Sequence, residues 1–209
     1  MLQSSAMAQS RSLSVRLGFV AVVVAAVGCG AEPAMEPVAA ESTPAERPVE
    51  AEPPPAARGQ DAGPEGVRNY TRVDATVACA GATPPEAMAD LKELGFATVI
   101  NFRTEGERGA TVADGRASAE AAGLTYIHLP FREPSAEVTE AFLEAVADPA
   151  NQPTYIHCGS ANRVGAMWLI KRVVQDGYSV EDATAEAEAI GLSSAGLREF
   201  ALDYVGAGG

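Results

Sequence analysis

The chain alternates between two hydrophobic periods over its last two thirds. Ala97–Phe102 (ATVINF), Leu124–Leu129 and Thr154–His157 are short apolar runs rich in β-branched and aromatic residues, which predicts buried strands. Thr71–Ala80 predicts a first extended piece. The segments between them follow the helical period. Thr83-Pro84-Pro85-Glu86 has the pattern of a capping box with proline in its first turn, and predicts a helix to Leu94 with Gly95 as its stop. Val112–Ala122 is a weaker, alanine-rich helix ending at Gly123. Ser135 is placed to cap a helix through about Ala147, with Phe142, Leu143 and Val146 on one face. Val164–Gln175 is apolar on most sides, as a buried helix would be. Ser179 caps a helix to Ile190, and Leu197–Val205 is the last. Strand-helix alternation predicts an α/β domain of three layers. Its mostly parallel central sheet of about four to five strands carries helices on both faces. Ligands of such sheets lie beyond the carboxyl ends of the strands, which directs attention to the loops after Phe102, Leu129 and His157.

Composition divides the chain into three parts. Residues 1–29 hold Arg11 and Arg16, no acid, and an apolar run from Leu17 to Val27. Eleven residues are too few for a membrane-spanning helix, so the run reads as a signal-peptide core, with the start at Met1 or Met7. Its end, Ala26-Val27-Gly28-Cys29, resembles the lipobox of bacterial lipoproteins. That resemblance implies acylation of Cys29, a membrane anchor through it, and an outer-membrane address facing the periplasm. An ordinary secretory signal with an incidental Cys29 is the alternative. Residues 30–68 hold eight prolines, nine alanines and eight acids without apolar periodicity, and read as a disordered tether. Residues 69–209 form the domain, with twenty acids and ten Lys+Arg. The formal net charge of the chain, −13, argues against a nucleic-acid partner. Three cysteines and two histidines exclude a disulfide-stapled fold, a four-cysteine zinc site and a histidine-rich metal centre; no metal or organic cofactor is implied.

The loop after the third buried strand carries the chemistry. His157 ends the strand, and Cys158-Gly159-Ser160-Ala161-Asn162-Arg163 leads into the apolar helix. Consecutive amides of such a loop form an anion cradle, to which the helix N-terminus adds partial positive charge. Arg163 supplies a forked donor that matches a phosphate edge. The same field favours Cys158 as the nucleophilic thiolate. Gly159 and Asn162 suit the tight turn. Arg103 follows the first buried strand at the same sheet edge. It reads equally as a second cation for the anion or as a loop arginine paired with Glu105 or Glu107. His128 reads as structural.

The stretch His157-Cys158…Arg163 resembles the signature loop of the cysteine-dependent protein tyrosine and dual-specificity phosphatases. The closer resemblance is to the phosphatase-like domain of the bacterial beta-lactamase hydrolase-like proteins. It rests on Gly95–Arg103, on Ala122–Pro130 and on the Cys158 loop with Asn162-Arg163-Val164-Gly165-Ala166. It implies a cysteine-phosphatase fold and cleavage of a phosphate monoester, on a small molecule or a phosphoprotein, with Cys158 as nucleophile. Arg163 and the amides of Gly159, Ser160, Ala161 and Asn162 would cradle the phosphate, and His157 would orient the loop by hydrogen bonds. An upstream acid is implied in the loop after Leu129, where Glu133 is the nearest carboxyl group. Cys79 reads as a buried thiol, with a Cys79–Cys158 disulfide as the alternative.

Two other functions remain open on the residues. Four residues separate Cys158 from Arg163, a spacing shared with rhodanese-type sulfurtransferases that carry a persulfide on cysteine. Val164, where phosphatases usually place Ser or Thr, and the absence of Asp near Glu133 also fit a non-catalytic anion-binding module.

Overall fold

A computed structural model describes residues 63–207. The signal-like segment, Cys29 and the tether up to residue 62 lie outside the described residues. The strands are β1 (Thr71–Arg72), β2 (Val77–Ala80), β3 (Thr98–Asn101), β4 (Thr125–His128) and β5 (Thr154–His157). The α-helices are α1 (Ala87–Glu93), α2 (Val112–Ala121), α3 (Ala136–Ala147), α4 (Asn162–Val174), α5 (Val180–Ile190) and α6 (Ala195–Ala207). The five strands form one sheet in the order β1-β2-β5-β3-β4, parallel except for the β1–β2 pair.

The sheet separates two cores because strand side chains alternate in direction. Ala78, Ala80, Val99 and Tyr155 face α1 and α2, where they meet Met88, Leu91 and Ala119. Val77, Cys79, Ile100, Phe102, Ile156 and Cys158 face the other way, onto Phe142 of α3, Val164, Met167 and Trp168 of α4, and Ala183 and Ala187 of α5. The strands β2, β3 and β5 are buried on both faces, whereas β4 is an edge strand with Thr125 exposed. This is the three-layer α/β arrangement expected from the pattern.

Most helix ends obey the expected signals. Gly95 and Gly123 take φ of 89° and 73° and stop α1 and α2, a conformation costly for any residue with a Cβ. The side chains of Ser135 and Ser179 accept from the amides of Val138 and Asp182. The expected capping box at Thr83 does not form. Thr83 Oγ1 lies 2.7 Å from the hydroxyl of Tyr155 and donates to the carbonyl of Gly81, so tertiary partners take the group that would have capped α1. The helix begins at Ala87 without a side-chain cap. Thr71–Ala80 is a hairpin of two strands, turned where Asp74 Oδ1 accepts from the amides of Thr76 and Val77.

Register aligns the functional edge. Asn101 pairs with His128 on one side and His157 on the other, so β3, β4 and β5 end level. The loops 102–111, 129–134 and 158–161 therefore leave the sheet side by side.

Candidate active site

Cys158 follows the central strand β5 and is fully buried, with a free thiol. Its amide donates to the carbonyl of Ala80, 3.3 Å away, and this fixes the start of the loop against β2. Ala161 then turns the chain at φ 68°, a left-handed conformation rare for a residue other than glycine, and α4 begins at Asn162. The result is a run of amides with no internal acceptor. Among the described residues, no group accepts a hydrogen bond from the N–H of Gly159, Ser160, Ala161, Asn162, Arg163 or Val164. Six consecutive free donors at the start of a thirteen-residue helix form a cradle for an anion.

The loop is anchored from outside. Asn69 Nδ2 donates to the Ser160 carbonyl at 3.2 Å. Gly81 lies against it so closely that a Cβ there would come within 3.3 Å of Ser160 main-chain atoms. Asn162 Oδ1 accepts from the amides of Ser193 and Ser194, both at 2.7 Å, tying the loop to the α5–α6 connection. The Asn162 side chain is thus an anchor, and only its amide is left for an anion.

Arg163 holds the three loops together. Its Nη1 donates to the carbonyls of Phe102 (2.8 Å) and Phe131 (2.6 Å) and to Glu107 Oε1 (2.7 Å), and its Nη2 donates to Glu107 Oε2 at 2.7 Å. These contacts use both hydrogens of Nη1 and one of Nη2. Nε and the remaining hydrogen of Nη2 form an edge that Glu107 does not use. Burial disfavours the Arg163 charge, but the Glu107 bonds and the Cys158 sulfur beside it favour it more, so its pKa is raised. Burial likewise opposes ionisation of Glu107; the Arg163 fork, the Thr104 amide and the Arg103 charge overcome this and hold it ionised down to about 2. Sequence reading missed Glu107 as a site residue and considered it only as a partner for Arg103. Carbonyl acceptors such as those of Phe102 and Phe131 leave no mark in a sequence.

Of the two roles open to Arg103, the structure shows the loop arginine paired with Glu107. Arg103 lies on the α1–α2 side of the sheet, opposite Cys158. Its Nη1 and Nη2 donate to the carbonyls of Gly109 and Arg108, both at 2.9 Å, and its Nε is 3.6 Å from Glu107 Oε2. It shapes the loop that presents Glu107 and does not enter the cradle. Glu133 is exposed and lines a separate groove with His128, Leu129, Ser135 and Val138, while its neighbour Arg132 lines the cleft of Arg163. The structure brings Cys158, Arg163 and Glu107 together and leaves Glu133 outside. Neither ring nitrogen of His157 has a hydrogen-bond partner, although the main chain of Cys158 and Gly81 is close; the ring is buried and stacks on Tyr155 at 5.8 Å. His157 thus sits under the start of the loop, packed on Tyr155 and against the main chain of Cys158 and Gly81. His128 Nε2 lies 2.7 Å from the Arg103 carbonyl, a structural tie between β3 and β4.

Cys79 and Cys158 are both free thiols. Cys79 is level with Ile156, two residues short of Cys158. Strand spacings put the two Cα atoms about 8 Å apart, beyond the span of a disulfide. Burial raises the Cys79 pKa, which makes it an inert core thiol.

Comparison with solved structures finds the same fold in phosphatases. A phosphatase-type DUF442 protein from Shewanella putrefaciens superposes with a TM-score of 0.59 at 20% identity, covering 68% of this chain and 92% of its own. TpbA of P. aeruginosa gives 0.52 at 24% identity, covering 67% and 84%, and a complex of a TpbA variant holds pTyr. The core catalytic domain of the PP-IP phosphatase SIW14 from S. cerevisiae, in complex with citrate, gives 0.56 at 19% identity, covering 66% and 85%. Comparison with curated proteins finds no match. The family model of the beta-lactamase hydrolase-like protein, phosphatase-like domain, matches residues 69–175, from the Asn69 anchor through the Cys158 loop to the end of α4. With just over half of its length matched, the chain belongs to this phosphatase-like family.

Proposed function

We propose that the protein hydrolyses phosphate monoesters through Cys158. The observation that carries this reading is the run of six free amides from Gly159 to Val164, directly after Cys158, with Arg163 in the first turn of α4 fixed by Glu107. A phosphoryl group in that cradle accepts from the amides and from the Nε–Nη2 edge of Arg163. The Cys158 thiolate attacks phosphorus from below, the P–S bond forms, and the P–O bond to the leaving group breaks. Water then attacks the phosphocysteine, releasing inorganic phosphate and restoring the thiolate. Glu107 is ionised and engaged, and Glu133 lies in another groove, so neither supplies a proton to the leaving oxygen in this arrangement. The reading therefore favours esters whose leaving groups need little protonation, such as aryl phosphates. Small molecules and phosphoproteins both remain within the proposed substrate class. The lipobox-like segment supports secretion and anchoring through Cys29, with the domain facing the periplasm.

Phosphate release from an aryl phosphate by the full chain, under reducing conditions, tests this directly. Turnover should vanish in Cys158→Ser. Glu107→Gln should lower kcat/KM on the order of tenfold, by loosening the aim of Arg163. Glu133→Gln should have little effect, and a large loss there would show that Glu133 moves into the cleft as the acid. The four-residue spacing supports sulfur transfer as the second reading. Thiosulfate-dependent persulfide on Cys158, without phosphate release, would establish it in place of hydrolysis.

A further inference from the structure

The cleft in front of Arg163 holds more positive charge than one phosphate requires. It has a volume of about 380 Å3 and is lined by Gly106, Glu107, Arg108, Arg132 and Arg163. Glu107 already balances Arg163 as a forked ion pair. Arg108 and Arg132 are exposed, and among the described residues neither has a carboxylate partner. Arg132 makes one long bond, from Nε to Thr104 Oγ1 at 3.4 Å, which leaves both of its Nη groups available. Residues 69–209 hold twenty acids and ten Lys+Arg, so carboxylates are plentiful, yet Glu107 is the one acid lining this cleft. Water and salt screen these exposed charges, so the arginines can stand together; what they offer beside Arg163 is two sets of unpaired donors for an incoming anion.

We infer that Arg108 and Arg132 form a second anion subsite, and that the cleft takes a small molecule bearing two phosphoryl groups. This rests on the reading of the Cys158 loop as a phosphate site. One phosphoryl group occupies the amide cradle, and the second lies between the two arginines at the mouth. The cleft is within the size range of small-ligand sites. The acidic surface outside it disfavours a long polyanion.

Two ligands that contain no ester bond test this apart from turnover. Methylphosphonate carries one phosphoryl group and methylenediphosphonate carries two. Calorimetric titration of the full chain should show the diphosphonate binding about tenfold tighter than the monophosphonate, the gain of one well-placed charged contact. In the Arg108→Gln, Arg132→Gln double variant that ratio should fall to about twofold or less. The control is Lys92→Gln with Arg72→Gln, which removes the same charge at the opposite end of the sheet, where Lys92 Nζ holds the Gly123 carbonyl and Arg72 covers Phe96. It should keep the ratio. Equal affinities in the natural chain, a ratio that survives the double variant, or failure of both ligands to bind would each overturn the subsite. Loss of Cys158-dependent hydrolysis would overturn the proposed reaction while leaving this measurement intact.

Discussion

His157 shows how one buried side chain sets the response of the protein to acid. Burial, and then the Arg103 charge, pull its pKa from 6.5 down to about 3. Between those values the unfolded chain binds a proton that the folded chain refuses. Its contribution to stability is therefore complete above pH 6.5 and falls as pH drops toward 3, by up to about 1.4 kcal/mol per unit. Glu107 acts in a lower window: its folded value is depressed, so its contribution is present above about 4.5 and is lost as pH falls toward 2. Denaturant titrations between pH 6.5 and 4.5 thus isolate the histidine. His157→Asn should flatten the slope there, and an unchanged slope would mean that the ring is protonated in the fold. Ala161 offers a second test at this scale. Its φ of 68° strains any residue with a Cβ, so Ala161→Gly should raise stability by about 1 kcal/mol in urea unfolding.

Among the elements, α4 has two tasks, to present the cradle at its N-terminus and to fill the core behind it. Its apolar residues on nearly every side are explained by contact with the sheet, α5 and α6. The crossing of α4 and α5 is closed by Gly165. A Cβ there would lie 2.8 Å from the Ala187 carbonyl and 2.9 Å from Leu192 Cβ. Gly165→Ala should cost about 1–3 kcal/mol, read as a lower denaturation midpoint with unchanged slope. The boundaries of α2, α3 and α5 were legible because glycine and serine act locally on backbone groups next to them. The start of α1 was not, because Thr83 has a choice of partners and Tyr155, distant in sequence, takes it. The same limit applies at the site. Cys158, Arg163 and the loop amides were legible as one contiguous motif, while Glu107 was not, because its partner Arg163 lies 56 residues away.

At the scale of the whole molecule, a second charged cluster ties the helical layer to the sheet. Arg172 of α4 bonds Glu186 of α5 at 2.6 Å and Asp176 at 2.8 Å, and reaches Asp74 in the β1–β2 turn at 3.7 Å. Its guanidinium lies 4.7 Å from the ring centres of both Trp168 and Tyr178. Removing it leaves Glu186 nearly buried with only the Trp168 indole N–H as donor. Arg172→Met should destabilise by about 3 kcal/mol in equilibrium unfolding, and a change near zero would show that packing of the apolar methionine compensates. What the sequence determined alone was whatever depends on neighbours along the chain: the strand and helix periods, most caps and stops, and the Cys158-to-Arg163 loop. Only the tertiary structure decided which face of the sheet each strand-end residue occupies. A strand reverses its side chains at every residue, and that sends Cys158 and Arg103 to opposite sides of one edge. It also decided which carboxylate meets Arg163, because loops that leave adjacent parallel strands are far apart in sequence and become neighbours only when the sheet forms.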